Sequence, residues 1–262
     1  MATLVIMAAG GSTRFGRPKQ LEPVAPDGAT IPDVTLRDAF ACGCSSAVLV
    51  VRPEHLDHFK ERITDPRVTV VVQSDARGTG HAALLGMGSG AAPWVVVNGD
   101  DLYGDQAMKL ACAQALRGAP QEHALVAFQL GRTLSPNGPV NRAMCTLSPD
   151  GSLSALHEVR GLVRGSDGTI RDVDGCAYDD VHLVSMNMWV IGGAAQQPLR
   201  TAYEVHEGGA SRLTEFMLPA AMCTHIMATG ERVRVIPSQS RWMGLTFPKD
   251  ADLVRRHLSS PP

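Results

Sequence analysis

The densest chemistry in the sequence lies near its start, in VIMAAGGSTRFGRPKQL at residues 5–21. Gly10 and Gly11 let backbone N–H groups approach an anion closely. Ser12 and Thr13 add hydroxyl donors. Arg14 offers a planar fork that matches phosphate oxygens, and Lys19 a mobile point charge. Coming straight after an apolar run, the group reads as a cradle for a polyphosphate, lined by the backbone of Ala8, Ala9, Gly10, Gly11, Ser12 and Thr13. It is not GxGxxG followed by an acidic residue after a second strand, and it lacks a Gly-Lys-Ser/Thr ending. A dinucleotide dehydrogenase and a P-loop enzyme are therefore both disfavoured. Taken alone, the stretch would also fit an ordinary glycine turn carrying surface charges.

Two further groups stand at the ends of apolar runs. In QSDARGTGHAAL (73–84), the Gln73 carboxamide offers a donor and an acceptor to a pyrimidine edge, and Gly78 and Thr79 bring backbone to the same place. A buried polar pairing of this kind rejects bases that leave it unsatisfied. Gln73 by itself would read as a solvated strand end, and His81 as a packing or capping residue at a helix start. VVVNGDDLYGD (95–105) closes its run with carboxylates. Magnesium needs only one or two of these from a protein when phosphates and waters complete its shell. Asp101 and Asp105 would equally suit the start of a helix.

The elements that must hold these groups follow a regular rhythm. Apolar runs at 3–8, 46–51, 68–73, 94–100 and 123–130 alternate with helical patterns. Such alternation demands crossover connections and a parallel sheet, with sites beyond the carboxyl ends of the strands. All three groups fall there. After residue 130 the rhythm changes. Residues 143–159 read as a hairpin around Pro149-Asp150-Gly151. Residues 161–181 read as a Gly- and Asp-rich loop, in which Asp172, Asp174 and Gly175 form a turn rather than a calcium site. A helix is expected from 213 to about Ala220, where Pro219 breaks it. A late strand covers 232–237, and a closing helix starts near Lys249.

Bulk composition narrows the classes. The chain has 262 residues, 44% hydrophobic and 19% charged, with a net charge of −2. That balance shows no basic footprint for nucleic acid, and 5% aromatic residues argue against base-stacking platforms. Six cysteines without CxxC or Cys/His ligand spacing read as reduced thiols, consistent with a cytoplasmic protein. No apolar run is long enough to span a bilayer and no signal peptide pattern opens the chain. Neither nucleic acid nor membrane is therefore an expected partner.

Gly10, Gly11, Arg14, Pro18 and Lys19 together resemble the opening signature of the nucleoside-triphosphate transferase family, whose members make NDP-sugars from an NTP and a sugar 1-phosphate. The Gln73…Gly78-Thr79-Gly80-His81-Ala82 string closely resembles the base-binding segment of N-acetylglucosamine-1-phosphate uridylyltransferases. The resemblance implies an α/β fold: a single Rossmann-like domain over 1–262, its mixed, mainly parallel sheet flanked by helices. Residues 1–130 form the NTP-binding half and 131–262 the sugar-phosphate half. It implies that the loop and Arg14 hold the triphosphate and that Lys19 sits near the transferred phosphorus. Gln73, Gly78 and Thr79 then read the base, and Asp100 binds Mg2+. On the sugar side it implies Glu158 and Asn187, in ALHEVRG and SMNMWVIGG, with Gly138 and Asn141 in SPNGPVNRA and Arg160 assisting the sugar phosphate. One departure stands out. The family's second metal ligand near the C-terminus is out of register. Thr246, Asp250 or Asp252 could substitute, and both aspartates also suit a helix start.

The expectation is in-line nucleotidyl transfer, with UTP or dTTP favoured, giving an NDP-sugar and pyrophosphate, with homo-oligomerisation left open. Two alternatives remain. One is a cytidylyl or guanylyl transferase acting on a non-sugar phosphate. The other is a catalytically silent nucleotide-sugar-binding protein.

Overall fold

In the computed structural model, which describes residues 1–11, 15, 18–209 and 213–259, the expected rhythm of strands and helices is present. β1 (Ala2–Met7) is buried along its whole length. Its one polar side chain, Thr3, donates its hydroxyl to Ala91 O at 2.7 Å, so its burial leaves no unpaired group. α1 (Ile31–Ala41) starts two residues before Asp33. Asp33 is the third helical residue: its carboxylate accepts from the Thr30 backbone N–H (2.7 Å) and hydroxyl (2.8 Å), tying down the helix start.

Next come β2 (Cys44–Val51), α2 (Leu56–Arg62), β3 (Val68–Val72), α3 (Thr79–Gly88) and β4 (Trp94–Asn98). The short β5 (Asp101–Leu102), α4 (Asp105–Arg117) and β6 (His123–Gln129) follow. β4, β1, β2 and β3 lie side by side and parallel, with Met7 in register with both Val50 and Asn98.

The second half turns antiparallel. β7 (Val140–Leu147) and β8 (Leu153–Arg164) make the expected hairpin around the Pro-Asp-Gly turn. The stretch 161–181 is more ordered than a loop. β8 runs on to Arg164, and β9 (Ile170–Arg171) and β10 (Ala177–Tyr178) pair beyond it as a narrow ribbon. Strands of two residues carry no readable periodicity, so sequence pattern misses them. The turn at Asp172 is as expected: its carboxylate accepts from the N–H of Asp174 (3.0 Å) and Cys176 (2.9 Å) and from the Tyr178 hydroxyl (2.8 Å).

β11 (Leu183–Ile191) then inserts between the two halves, antiparallel to β4, β6 and β7. α5 (Gln196–Gly208) and α6 (Leu218–Thr229) follow. The expected helix ending near Ala220 is corrected here, because α6 begins at Leu218. Pro219 sits in its first turn, where a missing N–H breaks no helical bond. β12 (Val233–Ser238), β13 (Met243–Gly244) and α7 (Asp250–Ser259) close the chain.

Among the described residues, eleven strands form one mixed sheet that runs through both halves. Helices cover both faces. α1 and α4 bury Leu36, Ala39, Met108 and Ala111 on one side. α3, α5 and α6 bury Leu84, Met87, Leu199 and Met222 on the other. A smaller core of Ile31, Leu102, Leu245 and Val254 roots α7 beside β5. Among the described residues, no helix is long and apolar enough to cross a membrane.

At the amino end of β6 a polar trio joins three elements. Glu231, in the turn before β12, accepts from His123 Nε2 (2.7 Å) and from His225 Nε2 on α6 (2.9 Å). His123 Nδ1 accepts from Gly192 N at 3.0 Å, which places the His123 proton on Nε2. Burial pushes the His123 imidazole below its usual pKa. Burial alone would raise the Glu231 carboxyl, but the hydrogen bonds from both imidazoles hold it below the usual range.

Candidate active site

The parallel register of β1 and β4 brings two loops out side by side at the carboxyl edge of the sheet. Ala8 and Ala9 are buried at the tip of β1, and Gly10 and Gly11 are exposed beyond them. The loops approach so closely that a Cβ on Gly99 would stand 2.7 Å from the Ala8 methyl, so only glycine fits there. Gly10 O accepts from Gln20 Nε2 at 3.0 Å, folding the first loop back on the short 3-10 turn Lys19–Leu21. From that turn Lys19 reaches the Asp100 carboxylate and forms an ion pair with it. Ser12, Thr13 and Arg14 lie outside the described residues, so their part of the expected cradle has no placement here.

Asp101, which the sequence leaves between metal ligand and helix start, is buried and belongs to β5, away from the helix start at Asp105. Its Oδ2 accepts from Asn98 Nδ2 at 2.8 Å. Asn98 Oδ1 in turn accepts from Asn187 Nδ2 at 2.8 Å, and Asn187 Oδ1 from the Trp189 indole N–H at 2.8 Å. The Tyr103 hydroxyl completes the group, 2.9 Å from Met186 O and 3.3 Å from Asp101 Oδ2. Burial and then the neighbouring Asp100 charge push the Asp101 carboxyl up to about 7, against the Asn98 hydrogen bond. Burial likewise drives the Tyr103 phenol well above its ordinary value.

Asn187 takes part in this chain with a backbone φ of +61°, at the irregularity in β11 between Ser185 and Met188. Asparagine tolerates that conformation better than most residues. Its carboxamide is turned to Asn98 and Trp189, with one of its two N–H donors committed, so it joins the acidic edge of β4 to the second half of the chain.

On the other side, Gln73 follows β3 and is held by its own N–H donating to Val51 O at 2.8 Å. Asp100, Ala8 and Gln73 therefore leave the same sheet edge, with Gln73 and Asp100 separated by three strand spacings, about 14 Å. Gln73 is buried, and its Nε2 donates to Gly78 O (3.1 Å) and lies 3.2 Å from His81 Nδ1. Its Oε1 accepts from none of the described residues. His81 stacks on Tyr203 with ring centroids 4.7 Å apart, and burial pushes its pKa down. It thus both packs on Tyr203 and faces the Gln73 carboxamide.

Gly78 has φ +91°, and a Cβ there would stand 2.6 Å from Phe216 O. The segment before α6 clamps this turn: Phe216 N donates to Arg77 O and Gly80 N to Phe216 O, both at 2.8 Å. Thr79 Oγ1 accepts from Leu218 N at 3.0 Å, so that oxygen serves the start of α6.

The sugar-side candidates divide. Asn141 and Glu158 line one cleft of about 570 Å³ between the β7–β8 hairpin and the start of α6. Arg160 lies two residues from Glu158 on the same strand and pairs with it at 3.3 Å, both side chains more than half exposed. Gly138 lies elsewhere, against the Phe247 ring beside α7.

The substitutes for a second metal ligand are otherwise employed. Asp250 accepts from Thr246 N (3.0 Å), Phe247 N (2.6 Å), Ser135 Oγ (3.1 Å) and Asn137 Nδ2 (2.7 Å). Asp252 pairs with Arg255 within α7.

Sequence reasoning also passed over Arg142. It is buried, with its guanidinium donating to Thr133 Oγ1 (3.1 Å) and Asn141 O (2.7 Å) and lying 4.7 Å from the Trp242 ring centre. Its charge acts on Asp101, favouring the ionised carboxylate. An arginine at an inward position of an alternating strand was the available signal.

The model of the MobA-like NTP transferase domain family matches residues 4–213. No curated protein matches the chain. Among solved structures, the inositol-1-phosphate CTP transferase from T. maritima superposes with a TM-score of 0.68 at 14% identity, covering 99% of this chain and 97% of that one. A Bacillus anthracis protein described as a glucose-1-phosphate thymidylyltransferase, solved with sucrose, superposes with a TM-score of 0.72 at 11% identity, covering 100% and 97%. At these identities the likeness is one of fold.

Proposed function

The chain belongs to the MobA-like NTP transferase family, and from that premise we propose that it transfers a nucleotidyl group from an NTP to a sugar 1-phosphate, releasing pyrophosphate. The observation that carries this reading is the meeting of Lys19 with Asp100 at the mouth of a glycine loop, on the edge where Gln73 also emerges.

The sugar-phosphate oxygen attacks the α-phosphorus in line. The bond from that phosphorus to the β-phosphate oxygen breaks, and pyrophosphate leaves with the electron pair. Total charge is conserved, and pyrophosphate then takes its proton from solvent. Arg14 and Lys19 bind the triphosphate and face the charge spreading over its oxygens. Gly10 and Gly11 present backbone N–H groups to the same chain of phosphates.

The donor set suits magnesium. Asp100 offers hard carboxylate oxygens with 21% of its side chain exposed. Asp101 stands next to it, held in place by Asn98. When bound there, Mg2+ would neutralise charge on the phosphoryl oxygens.

Gln73 favours uridine or thymidine. With its Nε2 turned to Gly78 and His81, its Oε1 is left as an acceptor for the N3–H of uracil or thymine. The same acceptor would also take a cytosine amino group, which supports cytidylyl transfer as the second reading. On the acceptor side, Asn141 and Glu158 share the cleft, while Asn187 is tied to Asn98 at the acidic strand end.

The test is a matrix of five NTPs against a set of sugar 1-phosphates, read by pyrophosphate release and by mass spectrometry of the products. Formation of an NDP-sugar from UTP or dTTP supports the reading. Nucleotide-sugar binding without turnover in Mg2+ would favour a silent binding protein instead.

A further inference from the structure

The cleft that holds Asn141 and Glu158 is walled mainly by carbon. Ala143 and Leu156 form one side, Pro219, Ala220 and Cys223 of α6 the other, and Met217 stands at its mouth with 41% of its surface exposed. Several polar atoms on its lining already have partners. Asn141 Oδ1 accepts from Gly161 N at 3.1 Å. Arg142 donates to Thr133 and to Asn141 O. Glu158 pairs with Arg160.

The Met217 side of the cleft adjoins the segment that clamps the Gly78 turn. Met217 follows directly on Phe216, which is hydrogen-bonded to Arg77 and Gly80, and Leu218 N is capped by Thr79. Arg142, at its other end, acts electrostatically on Asp101. A molecule in this cleft would lie beside the segment that clamps the Gly78 turn and against Arg142.

A hydroxyl pressed against such a wall loses its hydrogen bond to water and finds none in exchange, whereas a methylene gains by leaving water. Fully hydroxylated sugars need many convergent polar groups, and this wall supplies few. We infer that the acceptor is a phosphate monoester whose alcohol body carries few hydroxyls, a deoxygenated sugar or a simple cyclic alcohol rather than an intact hexose. This rests on the nucleotidyltransferase reading, and the chemistry is the same: the monoester oxygen displaces pyrophosphate from the NTP α-phosphorus.

The experiment compares matched acceptors on the full-length protein, with Mg2+ and each of the five NTPs. Cyclohexyl phosphate is set against myo-inositol 1-phosphate, the same ring without and with hydroxyls, and 6-deoxyglucose 1-phosphate against glucose 1-phosphate. The expected result is a kcat/KM at least roughly tenfold higher for the less hydroxylated member of each pair. Ala220→Asp, at an exposed wall position, is expected to shrink that preference. Equal or better turnover of myo-inositol 1-phosphate and glucose 1-phosphate overturns the inference and leaves nucleotidyl transfer standing. No pyrophosphate from any combination overturns both.

Discussion

The Lys19 ammonium and the Asp100 carboxylate form an ion pair although one follows β1 and the other follows β4. They meet because these strands are parallel neighbours in register, so that their following loops share one sheet edge. With only 18% and 21% of the side chains exposed, the cost of desolvating both charges offsets much of their attraction, so stability alone does not account for the pair. Its placement is better explained by a substrate that separates the two charges, phosphate drawing Lys19 and a cation drawing Asp100.

Asp100→Asn separates these roles. Binding of Mn2+ in the presence of an NTP, followed by water-proton relaxation, should weaken by about tenfold or more. The melting temperature should move by no more than about 2–4 °C, the shift that roughly 1 kcal/mol produces in a chain of this size.

Gln73 should set the choice of base. In Gln73→Leu, kcat/KM for the preferred pyrimidine NTP is expected to fall by about 10- to 100-fold, narrowing its lead over purine NTPs. Gly78→Ala should instead fail structurally. Its new methyl would meet Phe216 O at 2.6 Å in a left-handed turn. A loss of more than about 1 kcal/mol in urea unfolding is expected.

The chain Trp189–Asn187–Asn98–Asp101 should behave as a unit. Asn187→Gly keeps the backbone conformation while removing the hydrogen bonds to Asn98 and the indole, at a cost of about 1–3 kcal/mol. Asn187→Ala should be worse by a further ~1–2 kcal/mol, because alanine resists a φ of +61°. Combined with Asn98→Ala in a double-mutant cycle, the effects should fall short of additivity by about 0.5–3 kcal/mol. Strict additivity in denaturant melts would mean that the two carboxamides do not act together.

The trio at the far end of the sheet predicts acid lability. The His123 pKa is depressed by burial in the folded chain. As pH falls through the unfolded value of about 6.5, the unfolded chain takes up a proton that the folded one refuses. Stability is therefore full above that pH and declines below it. The depressed Glu231 carboxyl extends the decline to lower pH, through its unfolded value near 4.3. The melting temperature of the wild type should drop between pH 7.5 and 5.5. His123→Gln, less stable at pH 7.5, should show a shallower slope over that interval. An identical slope would remove His123 from the account.

Much of this was legible in the sequence. The alternation of buried runs and helical patterns gives the parallel half, because each run must bury both faces and each crossover needs a helix. The clustering of Lys19, Gln73 and Asp100 on one edge was legible because parallel strands release their following loops on the same side. What escaped depends on contacts far apart in the chain. Asp101 looks like a helix-start acid until β13 pairs with β5 and covers it. Asp250 looks like a spare carboxylate until Ser135 and Asn137 donate to it. The segment before α6 gives no local sign that it clamps Gly78. Pro219 reads as a helix break, and the bond from Leu218 N to Thr79, far away in the chain, helps set it in the first turn of α6 instead.

Pyrophosphate release by Lys19→Ala, in Mg2+ with the best NTP and acceptor pair, tests the central claim most directly. A folded variant with an unchanged circular dichroism spectrum should lose the equivalent of about 3–4 kcal/mol in the barrier, a rate reduced by several hundredfold. Wild-type turnover in that folded variant would contradict a catalytic cradle at the tip of β1.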